Sequence, residues 1–302
     1  MSATPTSERP RPATPIAWAV TLLVSLLPDI LFVEISGDRP EWLFWAKVGL
    51  AGALLALSLV WKELRGLRLF FGVLLVLYLI EWGVSRMYER VAYAAWLAKA
   101  APFVQEVGAV QIVRSTSAVL MVLAMLVLVR RFDRFFLVKG RLDAPAKPIP
   151  VVLTRPPTWR VLGPAISGAM CLGLVAFALA AGRPPTGQAL RGVLPLLPFV
   201  VLFAASNAFG EEMLYRAPWL AALEGPAGPA QALLMTAAYF GLAHFYGVPY
   251  GVPGVLMAFI PGWLMGKAML ETRGFLWAWL IHFSMDLAIF FFMALGAVAP
   301  GG

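Results

Sequence analysis

The sequence predicts an all-α integral membrane protein, a bundle of about eight to nine transmembrane helices. Of its 302 residues, 61% are hydrophobic and only 13% are charged, and the mean hydropathy is +0.81. A soluble domain carries about 25% charged residues, and one core could not enclose this much apolar surface. The single cysteine, Cys171, excludes an intrachain disulfide or a thiolate metal cluster, and we expect it to be a small buried hydrophobe.

Nine apolar runs define the predicted helices. A stretch of about 19 apolar residues matches the thickness of the hydrocarbon core, so each run is a candidate span. The run at 253–270 is short and flanked by Pro253 and Pro261, so eight full spans and one re-entrant segment is an alternative to nine. The runs lie near 16–35, 42–61, 67–83, 110–129, 161–181, 193–213, 230–247, 253–270 and 275–297.

Composition divides the chain into four regions. Residues 1–15 hold four prolines and no apolar run, which predicts a disordered tail. Residues 16–139 are predicted to form accessory transmembrane helices, and 161–302 a transmembrane domain with the candidate site. The stretch 140–160 between them is basic and proline-rich, and we expect a cytoplasmic linker there.

The net charge of +8 is distributed in short loops between the apolar runs. This distribution argues against nucleic acid as a partner. With the N-terminus inside, fifteen Lys and Arg residues fall in inner loops and six in outer loops, which predicts a cytoplasmic N-terminus. Eight of the fifteen lie within 130–160, and we expect this loop to bind anionic lipid head groups.

Ionisable residues inside the N-terminal spans have structural explanations. Lys47 and Glu81 lie near span ends, where long side chains reach the interface. An ionisable residue within a span costs roughly 2.5–3.5 kcal/mol, so each needs a reason. We therefore expect Asp29, Glu34 and Arg114 to pair with one another or to face a polar seam.

Three polar clusters in the C-terminal half include both histidines of the chain. They read GEEMLYR at 210–216, FGLAH at 240–244 and HFSMD at 282–286. Positions i and i+4 share a helix face. This spacing pairs Glu212 with Arg216, Phe240 with His244, and His282 with Asp286, and it places Asn207 one turn before Glu211.

The first two clusters are expected to meet across a helical hairpin that turns at Pro226. Glu211 lies 15 residues before this proline and His244 lies 18 after it. At 1.5 Å per residue both are ~22–27 Å from the turn and at a similar depth. His282 and Asp286 lie deep enough in the last span to join them. A carboxylate and an imidazole that hold one water form a general-base pair, and a second histidine can donate to an oxyanion.

Other catalytic motifs are absent from the sequence. It contains no HExxH, which excludes the zincin pattern, and no GxSxG or GxGD, which are typical of serine hydrolases and membrane aspartyl proteases. The polar clusters therefore favour hydrolysis of an amide within or beside the membrane.

The patterns EExxxR, FxxxH and HxxxD/N, in this order on successive helices, resemble the CPBP family. This is the CAAX protease and bacteriocin-processing group of glutamic intramembrane proteases, and the resemblance covers about 193–295. It implies that Glu211 is the general base that activates water, that His244 shares or orients this water, and that His282 contributes to an oxyanion hole. It further implies that Glu212 and Arg216 form a supporting ion pair and that Phe240 packs against the site.

Asp286 departs from the pattern of many family members, which have Asn at this position. Asn can donate a hydrogen bond, whereas an ionised Asp only accepts. Asp286 must therefore be protonated or must orient His282, and we favour orientation.

The expected function is that of an intramembrane endopeptidase without a cofactor, acting on a membrane-embedded protein or peptide. One alternative is a metal-dependent hydrolase, with a metal ion held by Glu211, His244 and His282. Another is a bacteriocin-immunity or transport protein, since intramembrane carboxylates and histidines also build proton relays. The Ala-, Arg- and Pro-rich composition is typical of a high-GC bacterium, which predicts the bacterial inner membrane as the location.

Overall fold

The computed structural model describes residues 13–88, 90, 99–149, 153–155, 157–182 and 184–298, and residues 1–12 of the predicted tail lie outside it. The secondary structure in these ranges is helical apart from two isolated bridges, Pro145 with Thr158 and Ile149 with Leu153, which confirms the all-α class. The helices are α1 (Ala13–Val24), α2 (Leu27–Ser36), α3 (Glu41–Val60), α4 (Arg68–Ser85), α5 (Pro102–Val129), α6 (Trp159–Ala181), α7 (Gly187–Val193), α8 (Leu197–Tyr215), α9 (Ala217–Ala227), α10 (Pro229–Leu242), α11 (Val252–Thr272) and α12 (Leu276–Val298).

The lengths of these helices fit a polytopic membrane protein. Within the described ranges seven helices are long and apolar enough to cross a membrane, or eight if α1 and α2, bent by 45°, form one span. The run at 253–270 is not the short one, because α11 has 21 residues. The predicted run at 230–247 is the short one instead, because its helix α10 has 14 residues and spans about 21 Å, less than the ~30 Å hydrocarbon core.

Two compact units divide the chain, one of residues 1–75 and 219–260 and the other of residues 76–218 and 261–302. In the first unit Trp219 is fully buried, with its ring 5.3 Å from that of Phe70 and 4.2 Å from that of Tyr239. Such aromatic pairs add packing energy beyond the area they bury. They tie α4 and α10 to the start of α9.

The buried and exposed charges of the first unit form pairs within that unit. Buried Asp29 binds Lys47 and also Arg39, at 2.7 Å, and Tyr250 donates to Glu34 at 2.5 Å. Asp29 and Glu34 thus each have a partner within the first unit and do not pair with each other. Lys47 Nζ also donates to the Ser25 carbonyl at the α1–α2 bend, and the expectation that this side chain reaches the membrane interface stays a prediction.

The second unit packs α12 against α6 and α8, and α8 against α5. Phe203 of α8 lies at the centre, with its ring 5.8 Å from that of Phe103 in α5 and 6.5 Å from that of Phe290 in α12. Apolar side chains of α7 and of the turn Leu194–Leu196 complete this core. The core fixes α5, α8 and α12 as neighbours, and these three helices carry the polar residues described below.

Part of the predicted linker packs on the end of α11. Glu271 accepts hydrogen bonds from the Lys147 backbone at 3.1 Å and from the Trp159 indole at 2.9 Å. Gly140, in the left-handed region at φ +73°, lies against Gly274 so closely that a Cβ there would stand 2.6 Å from the Gly274 Cα. Only glycine fits this approach without a shift of the backbone.

Gly163 of α6 is predicted to be essential for the packing of α6 on α12. A Cβ at this position would lie 2.3 Å from the ring of buried Trp277, so Gly163→Ala must displace a rigid indole. Overpacking of this kind costs about 1–3 kcal/mol, measurable as a lower free energy of unfolding. The matched control is Gly168→Ala on the same helix, where a Cβ meets nothing within 4 Å. Equal stability of the two variants would contradict the prediction.

Candidate active site

The helix that carries the two glutamates ends earlier than the hairpin prediction requires. α8 stops at Tyr215, Arg216 adopts φ −127° and ψ −63°, and the separate helix α9 precedes α10. Pro218 explains the break, because a proline cannot donate to the carbonyl four residues back and its ring clashes with it. A break at Arg216 thus separates α8 from α9, although 187–227 as a whole still counts as one apolar helical stretch long enough to cross a membrane, and the hairpin stays a prediction. His244 also lies beyond the end of α10, in the turn that follows Leu242.

Glu212 and Arg216 form the buried ion pair that their spacing predicted. Their side chains are 0% and 1% exposed, and Arg216 Nη1 donates to Glu212 Oε1. The same oxygen lies 2.8 Å from His282 Nδ1 of α12. Among the described residues Glu212 Oε2 has no hydrogen-bond partner. One carboxylate oxygen thus links the end of α8 to the histidine of α12.

His282 is oriented by this contact. Its Nδ1 must carry a proton to donate to the Glu212 carboxylate, which leaves Nε2 as an acceptor in the neutral ring and a donor in the imidazolium. Nε2 lies 3.5 Å from Glu211 Oε2 and 3.7 Å from Asp286 Oδ2. Nε2 therefore faces the first glutamate of the pair.

Glu211 is held on its other side by groups from α5 and α8. Its Oε1 accepts from Arg114 Nη1 at 2.7 Å and from Asn207 Nδ2 at 3.3 Å. Arg114 also binds Asn207 Oδ1, which Gln111 Nε2 reaches at 3.1 Å. The Glu211 side chain is 12% exposed. The two oxygens of Glu211 thus have different partners. Oε1 accepts from Arg114 and Asn207, whereas Oε2 faces the imidazole ring of His282.

Asp286 has a shorter contact with Asn207 than with His282. Asn207 Nδ2 donates to Asp286 Oδ2 at 3.0 Å, whereas the distance from that oxygen to His282 Nε2 is 3.7 Å. The ring of His282 is fixed by the hydrogen bond that its Nδ1 donates to Glu212 Oε1. Asp286 therefore joins α8 to α12 through Asn207.

Gln111 and Ser206 were not predicted as site residues, and Arg114 was expected to have only a structural role. Ser206 Oγ donates to Gln111 Oε1 at 3.1 Å, so a chain of polar side chains runs from α8 through α5 to Glu211. The sequence feature that could have identified Gln111 and Arg114 is their i, i+3 spacing, which places both on one face of an apolar helix. Ser206 and Gln111 also line a cavity of about 590 Å³ between α5 and α8, whose other walls are mostly apolar.

Phe240 and His244 lie in the first unit. His244 Nδ1 is 2.8 Å from the Phe240 carbonyl oxygen, and the two rings are 4.6 Å apart. A carbonyl only accepts, so Nδ1 carries the proton and Nε2 of the neutral ring has a free lone pair. The ring therefore has the tautomer that a base requires, and its approach to Glu211 stays a prediction.

The metal alternative finds no ready-made site in the described part of the chain. No group of three or more His, Cys, Asp or Glu side chains there has the arrangement to hold a metal ion.

Residues 193–288 match the family model described as Rce1-like, type II CAAX prenyl endopeptidase Rce1-like. The match is consistent with membership of the CPBP family and confirms the resemblance read from the three polar clusters. It indicates a membrane-embedded peptidase of the CAAX protease type. The matched segment contains Glu211, His244 and His282 but not Arg114. No curated protein and no solved structure matches the chain.

Proposed function

We propose that the protein is a glutamic intramembrane endopeptidase, in which Glu211 and His244 activate the water that hydrolyses a peptide bond. The observation that supports this most directly is the separate environment of the two Glu211 oxygens. Arg114 and Asn207 occupy Oε1, and Oε2 faces His282 Nε2 at 3.5 Å. Two atoms 3.5 Å apart can both contact one reacting atom at about 3 Å, which is the arrangement expected of a base and an oxyanion donor around one reacting centre.

The proposed reaction proceeds by addition of water and collapse of a tetrahedral intermediate. Glu211 takes a proton from water as the oxygen attacks the substrate carbonyl, with His244 Nε2 as the second acceptor that aligns the water. His282, as imidazolium, donates from Nε2 to the developing oxyanion while Glu212 holds its Nδ1. Glu211 then returns the proton to the leaving amine, and the C–N bond breaks. No cofactor enters this cycle.

The setting we propose is the bacterial inner membrane, with a cytoplasmic N-terminus and a membrane protein or peptide as substrate. The basic loop 130–160 would then face anionic lipid head groups on the cytoplasmic side. All eight of its Lys and Arg side chains are exposed. One of them, Arg131, pairs with Asp133 at 2.7 Å, and this hydrogen bond lowers the pKa of the Asp133 carboxyl. The other seven basic side chains of the loop are the ones proposed to contact lipid head groups.

The test is a map of membrane-protein C-termini in cells that carry the wild-type protein, no protein, or the Glu211→Gln variant. We expect a set of trimmed C-termini that is present only with the wild type, and one atom of ¹⁸O in each new carboxyl group when the purified protein acts in ¹⁸O water. C-termini that are the same in all three strains would contradict the proposal. The metal-dependent alternative predicts a bound metal ion in the purified protein and loss of activity after chelation. Metal analysis and an activity assay with a chelator therefore distinguish it from the proposal.

A further inference from the structure

Arg114 brings the N-terminal half of the chain into contact with the proposed catalytic base. It lies near the middle of α5, outside the segment that matches the family model. Its guanidinium binds Glu211 Oε1 at 2.7 Å and also Asn207 Oδ1, and its side chain is 29% exposed. A charge in a span is costly, so a solitary arginine here requires a partner, and that partner is the carboxylate that performs the proposed chemistry.

Gly210 makes room for this arginine. A Cβ at Gly210 would lie 2.8 Å from Arg114 Cγ and 3.1 Å from Arg114 Cδ. These atoms belong to the inner part of the side chain, so they cannot move aside without moving the guanidinium. The glycine that precedes Glu211 is thus the place where the arginine stem crosses α8.

Two effects on Glu211 follow from the contact. Two bonds at Oε1 fix the plane of the carboxylate and turn Oε2 toward His282 Nε2. A neighbouring cation also offsets the cost of a charged carboxylate in a site shielded from water, and a general base must be charged. Gln111 supports the same geometry from α5, because it binds the Asn207 oxygen that Arg114 binds.

We propose that Arg114 is a positioning residue for Glu211, and that Gly210 is required to admit it. The inference rests on the function proposed above. It assigns a role in the reaction to α5, which sequence analysis regarded as accessory.

The kinetic test compares Arg114→Gln, Arg114→Lys and Gly210→Ala on a substrate identified by the C-terminus map. We expect Arg114→Gln to lower kcat about 100-fold, the effect of a misplacement near 1 Å, and to change KM by less than about threefold. Arg114→Lys should recover part of kcat because it restores the charge. Gly210→Ala should resemble Arg114→Gln, and the double variant should be no worse than either single one. Arg191→Gln, at an exposed arginine of α7, and Gly168→Ala, at a glycine where a Cβ would meet nothing within 4 Å, are the matched controls.

A second readout does not need a substrate. Thermal unfolding of Arg114→Gln, Glu211→Gln and the double variant should show coupling, with the loss in Tm of the double variant smaller than the sum of the single losses. Additive losses would overturn the contact itself. The positioning role would be overturned if Arg114→Gln and Gly210→Ala were as active as their controls while Glu211→Gln was inactive. The proposed function would still stand in that case. A fully active Glu211→Gln would overturn the function at this site and the positioning role with it.

Discussion

Glu211→Gln is expected to lower kcat by about 10²- to 10⁴-fold, the contribution of a general base. Glutamine keeps the size of the side chain, and its oxygen can still accept from Arg114, so the helix packing should survive. The amide cannot take a proton from water, and the chemical step therefore fails while substrate binding persists. The measurement is kcat and KM for cleavage of a mapped substrate, together with the Tm of the variant.

The matched control for Glu211→Gln is Glu34→Gln. Glu34 is also a carboxylate in a membrane helix, but its partner is Tyr250 in the first unit, so its loss should leave kcat unchanged. His244→Gln completes the experiment, because residues that act as one catalytic unit show losses that are far from additive. A double variant as slow as Glu211→Gln alone would support a shared water. Losses that multiply would contradict it.

Local spacing allowed several contacts of the site to be predicted from the sequence. The interval of four residues between Glu212 and Arg216 is one helical turn, and the ion pair forms at that interval. Asn207 and Glu211 have the same spacing and are joined by a hydrogen bond. These contacts depend only on helix geometry, which the apolar runs indicate well.

Contacts between helices could not be predicted in the same way. Arg114 and Glu211 are 97 positions apart, and their contact depends on which faces of α5 and α8 pack together. Both helices are apolar on nearly every side, so no amphipathic pattern distinguishes a packed face from a lipid-facing one. Gln111 and Arg114 lie on that face, but the same helix also carries Gln105, Glu106 and the run Ser115–Ser117, so polar residues alone do not identify it.

The break of α8 was predictable, although the hairpin argument overlooked it. Pro218 follows Arg216 by two residues, and helices usually end before a proline. A depth counted in residues from Pro226 assumes that the helix is continuous. The chain continues as α9 from Ala217 to Ala227, so that count crosses one break in the helix. Depth estimates from residue counts thus hold only within a helix, and the relation of His244 to Glu211 remains to be tested by the double variant.

Arg216→Met is expected to cost about 3–5 kcal/mol of stability, the largest structural effect we predict. The side chains of Arg216 and Glu212 are 1% and 0% exposed, so removal of the arginine leaves a buried carboxylate whose charge water cannot solvate. The companion variant is Arg216→Met with Glu212→Gln, which removes both charges and should regain most of the loss, because a buried neutral pair needs no counter-ion. Arg160→Met, at an exposed arginine, should change stability by no more than about 0.5 kcal/mol.

The two variants at this pair separate its structural role from its catalytic role. Glu212 Oε1 serves both Arg216 and His282 Nδ1, so the double variant regains stability while it weakens the hydrogen bond that orients the imidazole. We therefore expect unfolding close to that of the wild type and a kcat well below it. The measurement is reversible unfolding in a bilayer mimic beside kcat for the same preparation. A double variant that regains both stability and full activity would show that Glu212 acts only as a counter-ion, and that His282 takes its orientation from elsewhere.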